Sequence, residues 1–214
     1  MSLSDNKTPI LFKNLGVQDY QSVLLEMQNF TKKRHGDTRD EVWFLEHQPV
    51  YTYGPRTKKN DIPLLTNIPV IKTDRGGQLT FHGPGQLVVY PIFDIENFGI
   101  SVREYVAKLE QCVIECIAEY GLKGERIEDA SGVWLDAGNK KARKICAVGL
   151  KVSRGISMHG LAFNINTDLS YFDHIVPCGL DDKSVTSLEK ELGKKLDFFE
   201  VQKKLIAQFE KHFC

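Results

Sequence analysis

Apolar positions along the chain change their spacing several times, and each change predicts an element. From Val17 to about Lys33, residues Tyr20, Val23, Leu24, Met27 and Phe30 recur at helical intervals. Two extended runs follow, EVWFLEH (41–47) and PVYTYG (49–54), the second ended by glycine. A polar loop, RTKKNDIPLLTN (56–67), leads into three further strands within IPVIKTD (68–74), QLTFHG (78–83) and QLVVYPIFD (86–94), with glycine-rich turns between them. The clearest helix spans Ser101 to Tyr120. Ser101 and Glu104 form a capping-box pattern, Val102, Tyr105, Val106, Leu109, Cys112, Val113, Cys116 and Ile117 line one face, and Gly121 ends it. Strands are then expected in RIE (126–128), GVWLD (132–136), KICAVGLKV (144–152) and ISMHGLAFNIN (156–166). Thr186 and Asp197 each stand three residues before a glutamate, Glu189 and Glu200, and so mark the starts of two closing helices.

Adjacent extended segments joined by short turns predict antiparallel or mixed pairing. The expected fold class is α+β, a mixed β-sheet with helices packed mainly on one face. At 214 residues the chain suits a single domain, 1–214, with a small C-terminal helical subdomain from about Ser184 as the alternative. With 42% hydrophobic and 26% charged residues it falls in the folded rather than the disordered class. Lys plus Arg and Asp plus Glu are 28 each, so net charge does not point to nucleic acid or membrane as a partner. The opening MSLSDNKTPI lacks an apolar signal core, and no apolar run approaches the ~20 residues of a bilayer span, so a cytoplasmic location is expected. The five cysteines are scattered and lack C-x-x-C spacing, which favours thiols over a zinc or redox site.

The densest candidate for a binding site is DRGGQLTFHGPGQ (74–86), where glycines at 76, 77, 83 and 85 alternate with Arg75, Gln78, Thr80 and His82. Glycine permits tight turns and close approach of backbone to a ligand. The segment contains neither G-x-x-x-x-G-K-[ST] nor a G-x-G-x-x-G that opens a helix, so a phosphate cradle is a poor match. No pair of histidines has a common metal-ligand spacing, and neither a metal nor a cofactor is expected. Among the cysteines, Cys112, Cys116 and Cys146 fall where core packing accounts for them. Cys178, between Pro177 and Gly179, stands outside any periodic pattern; it is either a turn residue or a nucleophile aimed out of the turn. A nucleophilic thiol needs a base or a positive neighbour, for which His82, His159, His174 and Lys144 are candidates. In a regular strand Lys144 shares a face with Cys146, Val148, Leu150 and Val152. It is then either a partly desolvated amine suited to take and give protons, or a strand-edge residue that snorkels like its neighbours Lys140, Lys141 and Arg143.

RGGQLTFHGPGQLVVYPI, KICAVGLKV, HGLAFNIN and PCGL occur in this order, preceded by EHQPVYTYG, and together they resemble the lipoyl(octanoyl) transferase family from about Glu46 to Ser187. Phe81 stands where the family commonly has tyrosine, and Cys146 where alanine is usual. The resemblance implies a biotin/lipoate protein ligase-type fold and transfer of an octanoyl group from acyl carrier protein to a lysine of a lipoyl domain. Acceptors would be lipoyl domains of 2-oxoacid dehydrogenase subunits and the glycine cleavage H protein. Carried over by motif, Cys178 is the acyl-thioester nucleophile and Lys144 its acid/base partner. Arg75, Gly76, Gly77, Gln78, Leu79, Thr80, Phe81 and His82 would line the acyl pocket with Ala147, Val148, Gly149, Gly160, Leu161 and Ala162. A thioester donor is already activated, so no ATP is needed. The rivals are an ATP-using lipoate or biotin ligase of the same fold and a non-catalytic carrier-binding module.

Overall fold

The computed structural model describes residues 9–63, 66–175 and 184–214. Among these residues the elements run β1 (Leu11–Gln18), α1 (Tyr20–Lys33), β2 (Glu41–His47), β3 (Val50–Tyr53), β4 (Val70–Lys72), β5 (Thr80–His82), β6 (Gln86–Ile92) and α2 (Val102–Ala118). They continue with β7 (Gly132–Leu135), β8 (Arg143–Ser153), β9 (Ile156–Asn164), β10 (Ser184–Val185), α3 (Leu188–Leu192) and α4 (Phe198–Phe213). The large sheet has the order β1-β2-β6-β9-β8-β10, with β7 also paired to β8, and β4-β3-β5 form a second, small sheet. The pairs β1/β2, β8/β10 and β3/β4 are parallel and the others antiparallel, which makes the expected α+β mixed arrangement.

The two faces of the large sheet are used differently, and β2 shows this residue by residue. Val42 and Phe44 point into the main core, while Trp43 and Leu45 point into a second cluster on the other face. The main core is closed by α2 and α4 through Leu109, Cys112, Val113 and Cys116 against Val201, Leu205 and Phe209. Leu188 of α3 lies in the same cluster. On the opposite face α1 lays Val23 and Met27 over Trp43, Leu45, Val88 and Tyr90. A third cluster, Tyr51, Leu79, Phe81 and Phe172, lies beneath the small sheet.

The capping box of α2 is formed as expected, with Ser101 accepting from the Glu104 N–H and Glu104 accepting from the Ser101 N–H. Three readings are corrected, the first by a strand that the helical spacing from Val17 did not show. Residues 11–18 form β1, whose alternation is broken by an irregularity between Asn14 and Gly16 and whose Val17 is exposed. The first helix accordingly begins at Tyr20, capped by Asp19. RIE (126–128) is not a strand: Arg126 instead donates to Glu110 at 3.0 Å and to the Ala107 carbonyl at 2.7 Å, tying the loop to α2. The cap of α3 is Ser187, not Thr186, whose hydroxyl donates to Glu191.

Candidate active site

A β-bulge determines what Lys144 does. Between β7 and β8, Val133 pairs with Cys146 but Trp134 pairs with Lys144, so Ile145 is the extra residue. An extra residue lets neighbouring side chains share a face that regular pleating would separate. Ile145 and Cys146 both enter the main core, with Val133 opposite. Lys144 turns to the other face, beside Trp134 and in line with Ala147 and Gly149. The expectation that Lys144 shares the apolar face of Cys146, Val148, Leu150 and Val152 is thus corrected; those four pack on the helix side. Lys144 is nonetheless buried, at 6% exposure. Its ammonium donates to the Ser131 carbonyl at 3.1 Å and lies 4.6 Å from the centre of the Trp134 ring.

The face Lys144 joins is the wall of a cavity with about 520 Å³ of empty space, open mouth included. Its floor is a row of small residues on adjacent strands: Ala147 pairs with Ala162, and Gly149 with Gly160, while Val88 pairs with Ala162 from the other side. The loop 75–79, which crosses from β4 to β5 past β3, forms the roof with Thr80. Gly76 donates its N–H to the Leu150 carbonyl at 2.8 Å, and a Cβ on Gly149 would fall 2.8 Å from the Gly76 carbonyl oxygen. Roof and floor therefore meet backbone to backbone, which only glycine permits at that spacing. The Arg75 guanidinium holds the loop's shape by donating to the carbonyls of Gly76 at 3.0 Å, Gln78 at 2.8 Å and Thr52 at 2.7 Å.

Behind the slot lies a layer of neutral polar groups. His47 Nδ1 faces the Gln18 carbonyl at 3.2 Å, so it carries the proton, and Nε2 accepts from the Tyr90 hydroxyl at 2.8 Å. Burial pushes the His47 pKa down to about 4. Burial likewise drives His82 well below its ordinary value; its Nδ1–H donates to Gln86 at 2.8 Å. Gln86 donates to Asn164 at 2.9 Å, Asn164 donates to the Thr186 carbonyl at 3.0 Å, and the Thr186 N–H donates to the Lys144 carbonyl at 2.9 Å. One hydrogen-bonded chain thus joins His82 of β5 to the strand of Lys144. At the other side His159 occupies a left-handed backbone conformation, φ 60°, held by Nε2 against the Asp74 carboxylate at 2.7 Å. The paired Asp74 is held below the usual carboxylate range, chiefly by the His159 hydrogen bond.

Of the residues singled out from sequence, Arg75, Gly76, Gly77, Gln78, Leu79, Thr80, His82, Lys144, Ala147, Val148, Gly149, Gly160, Leu161 and Ala162 border this one cavity. Phe81 does not: its ring stacks on Tyr171 at 4.4 Å in the third cluster. Cys178 lies outside the described residues. Sequence reasoning missed Tyr20, Val88 and Tyr90 as lining residues and placed His159 only among candidate bases. Tyr20 sits on the apolar face of α1 and Tyr90 within an apolar strand, where nothing in the pattern separates a cavity wall from core. Among the described residues no cluster of potential metal ligands occurs, and no helix is long and apolar enough to cross a membrane.

The family model for the lipoyl protein ligase A/B catalytic domain matches residues 19–210. An octanoyltransferase of Christiangramia forsetii is 43% identical over 94% of both chains. One of Bacteroides fragilis is 47% identical over 81% of each, and one of Pseudomonas putida 42% identical over 94% of this chain and 91% of its own. Among solved structures, the bipartite lipoate protein ligase of Thermoplasma acidophilum superposes with a TM-score of 0.74 at 15% identity, covering 94% of this chain and 82% of its own. The biotin protein ligase of Aquifex aeolicus does so at 0.52 and 14%, covering 95% and 67%. At such identity these two speak for the fold alone.

Proposed function

The chain belongs to the lipoyl protein ligase A/B catalytic-domain family and its activity is octanoyl transfer in lipoate biosynthesis, and from that premise we propose that Cys178 and Lys144 perform it. In the first half-reaction the Cys178 thiolate attacks the thioester carbonyl of octanoyl-acyl carrier protein. The new carbon–sulfur bond forms, the donor's carbon–sulfur bond breaks, and Lys144 gives a proton to the departing thiol. In the second, Lys144 takes a proton from the amine of the acceptor lysine, the amine attacks the Cys178 thioester, and the amide forms as the carbon–sulfur bond breaks and the Cys178 thiolate is released. Both steps exchange an activated acyl bond, so no nucleotide is consumed. The C8 chain lies in the slot between the glycine loop and the small-residue floor, where apolar walls enclose it.

One observation supports this reading above the others: the bulge at Ile145 brings the amine of Lys144 to the cavity bordered by the glycine loop and by Ala147, Gly149, Gly160 and Ala162. A buried amine at the end of an apolar slot is suited to act where an acyl carbonyl is held. The acceptors are lipoyl domains of 2-oxoacid dehydrogenase subunits and the glycine cleavage H protein. Lys58, Lys59, Lys140 and Lys141 are exposed and suit an acidic carrier protein. Arg143 is committed elsewhere, to Glu191 at 2.6 Å and to Asp136.

Intact-mass spectrometry after mixing with octanoyl-acyl carrier protein, without ATP, tests the assignment. An octanoyl adduct that maps to Cys178, disappears in Cys178→Ser and passes to an added lipoyl domain is the expected result. Transfer that requires ATP and survives Cys178→Ser would replace the reading with a ligase. Charge reversal at Lys140 and Lys141 is expected to raise KM for the carrier and flatten its salt dependence; unchanged values would exclude docking there.

A further inference from the structure

We propose that Trp134 is the positioning residue for the Lys144 amine: its indole face, fixed across the bulge, holds the ammonium at the end of the acyl slot. The inference rests on the reading of Lys144 as the acid/base group, but on separate observations. Trp134 is the cross-strand partner of Lys144 at the point where the register shifts, so the two side chains leave the sheet on the same face. The ammonium stands 4.6 Å from the ring centre, within the range of an attractive cation–π contact. The ring is itself locked, because its Nε1–H donates to the Ala130 carbonyl at 2.9 Å and the side chain is only 2% exposed. The same turn supplies the Ser131 carbonyl that accepts from the Lys144 ammonium at 3.1 Å. A lysine side chain has four rotatable bonds, and a proton carrier must return to one place in both half-reactions. A face of negative potential beside the Ser131 carbonyl restricts the amine to that place. The Gly132 position completes the device, since a Cβ there would lie 3.4 Å from Lys144 Cε and 2.4 Å from the Cys146 carbonyl oxygen.

The test combines truncation with graded weakening of the ring. Trp134→Leu is expected to lower kcat about tenfold, equivalent to about 1.4 kcal/mol. KM for octanoyl-acyl carrier protein should stay within about twofold, and Trp134→Phe, which keeps an aromatic face, should recover most of the loss. In a Lys144→Met background the Trp134→Leu change should leave the residual rate of Cys178 acylation unaltered, since the ring acts through the amine. A full kcat for Trp134→Leu, or an equal loss in both backgrounds, would overturn the inference. Should Trp134→Leu not fold, fluorinated tryptophans incorporated into a Trp43→Phe host weaken the ring's electrostatic face at nearly constant volume. The acylation rate should then fall with each added fluorine, and a flat series defeats the proposal. Lys144→Met with wild-type acylation would instead defeat the acid/base reading itself, together with this inference.

Discussion

His47 shows how a side chain can be fixed by being kept uncharged. Its two nitrogens are committed to the Gln18 carbonyl and the Tyr90 hydroxyl, and burial lowers its pKa to about 4 from an ordinary 6.5. The folded protein therefore leaves His47 neutral in a range where the unfolded chain protonates it. Its contribution is fully present above about pH 6.5 and is lost as pH falls to about 4, amounting to roughly 3 kcal/mol over that window. His82 is shifted in the same direction by burial and adds to the same slope. Denaturant midpoints measured between pH 7.5 and 4.5 should fall steeply, and less steeply in His47→Gln. A midpoint flat across that range would mean that these rings are not buried neutral. None of this was readable from His47 in the sequence, where it passes for a surface residue beside Glu46 and Gln48.

At the level of elements, the bulge in β8 matters most, and Gly132 is its counterpart in β7. Gly132 has φ 126°, and a Cβ would meet the Cys146 carbonyl oxygen at 2.4 Å. Gly132→Ala is expected to cost about 2–3 kcal/mol of stability and to slow Cys178 acylation by displacing the strand that carries Lys144. Thermal melting and single-turnover acylation measure the two effects, and an unchanged acylation rate would mean that the bulge does not set the aim of Lys144. Strand periodicity located β2, β3, β6 and β9 well, because their side chains alternate or are buried throughout. It failed at β1 and at Lys144 for one physical reason. Each contains an irregularity in register, and a two-residue period carries no mark of where an extra residue enters. The resemblance of the motifs singled out Lys144 as an acid/base partner, while the bulge that brings it to the cavity left no mark in the sequence.

Across the whole molecule, the large sheet separates what holds the protein together from what its cavity does. Leu205 of α4 is fully buried in the main core, on the side of the sheet away from the slot. Leu205→Ala should lower stability by about 2–5 kcal/mol yet leave KM for the octanoyl donor within about twofold at a temperature where the variant is folded. A large KM change would show that the two faces are coupled. The helix side also holds Cys112, Cys116 and Cys146, and burial raises the pKa of all three thiols, that of Cys116 to about 12. Protonated and enclosed, they are poor targets for electrophiles, even though Cys146 follows Lys144 by only two positions. A covalent inhibitor built as an acyl mimic would therefore find, among the described cysteines, a competing accessible thiol only at the exposed Cys214. In a Cys214→Ser background, loss of free thiol to such a warhead would then report on Cys178, the thiol proposed as the nucleophile.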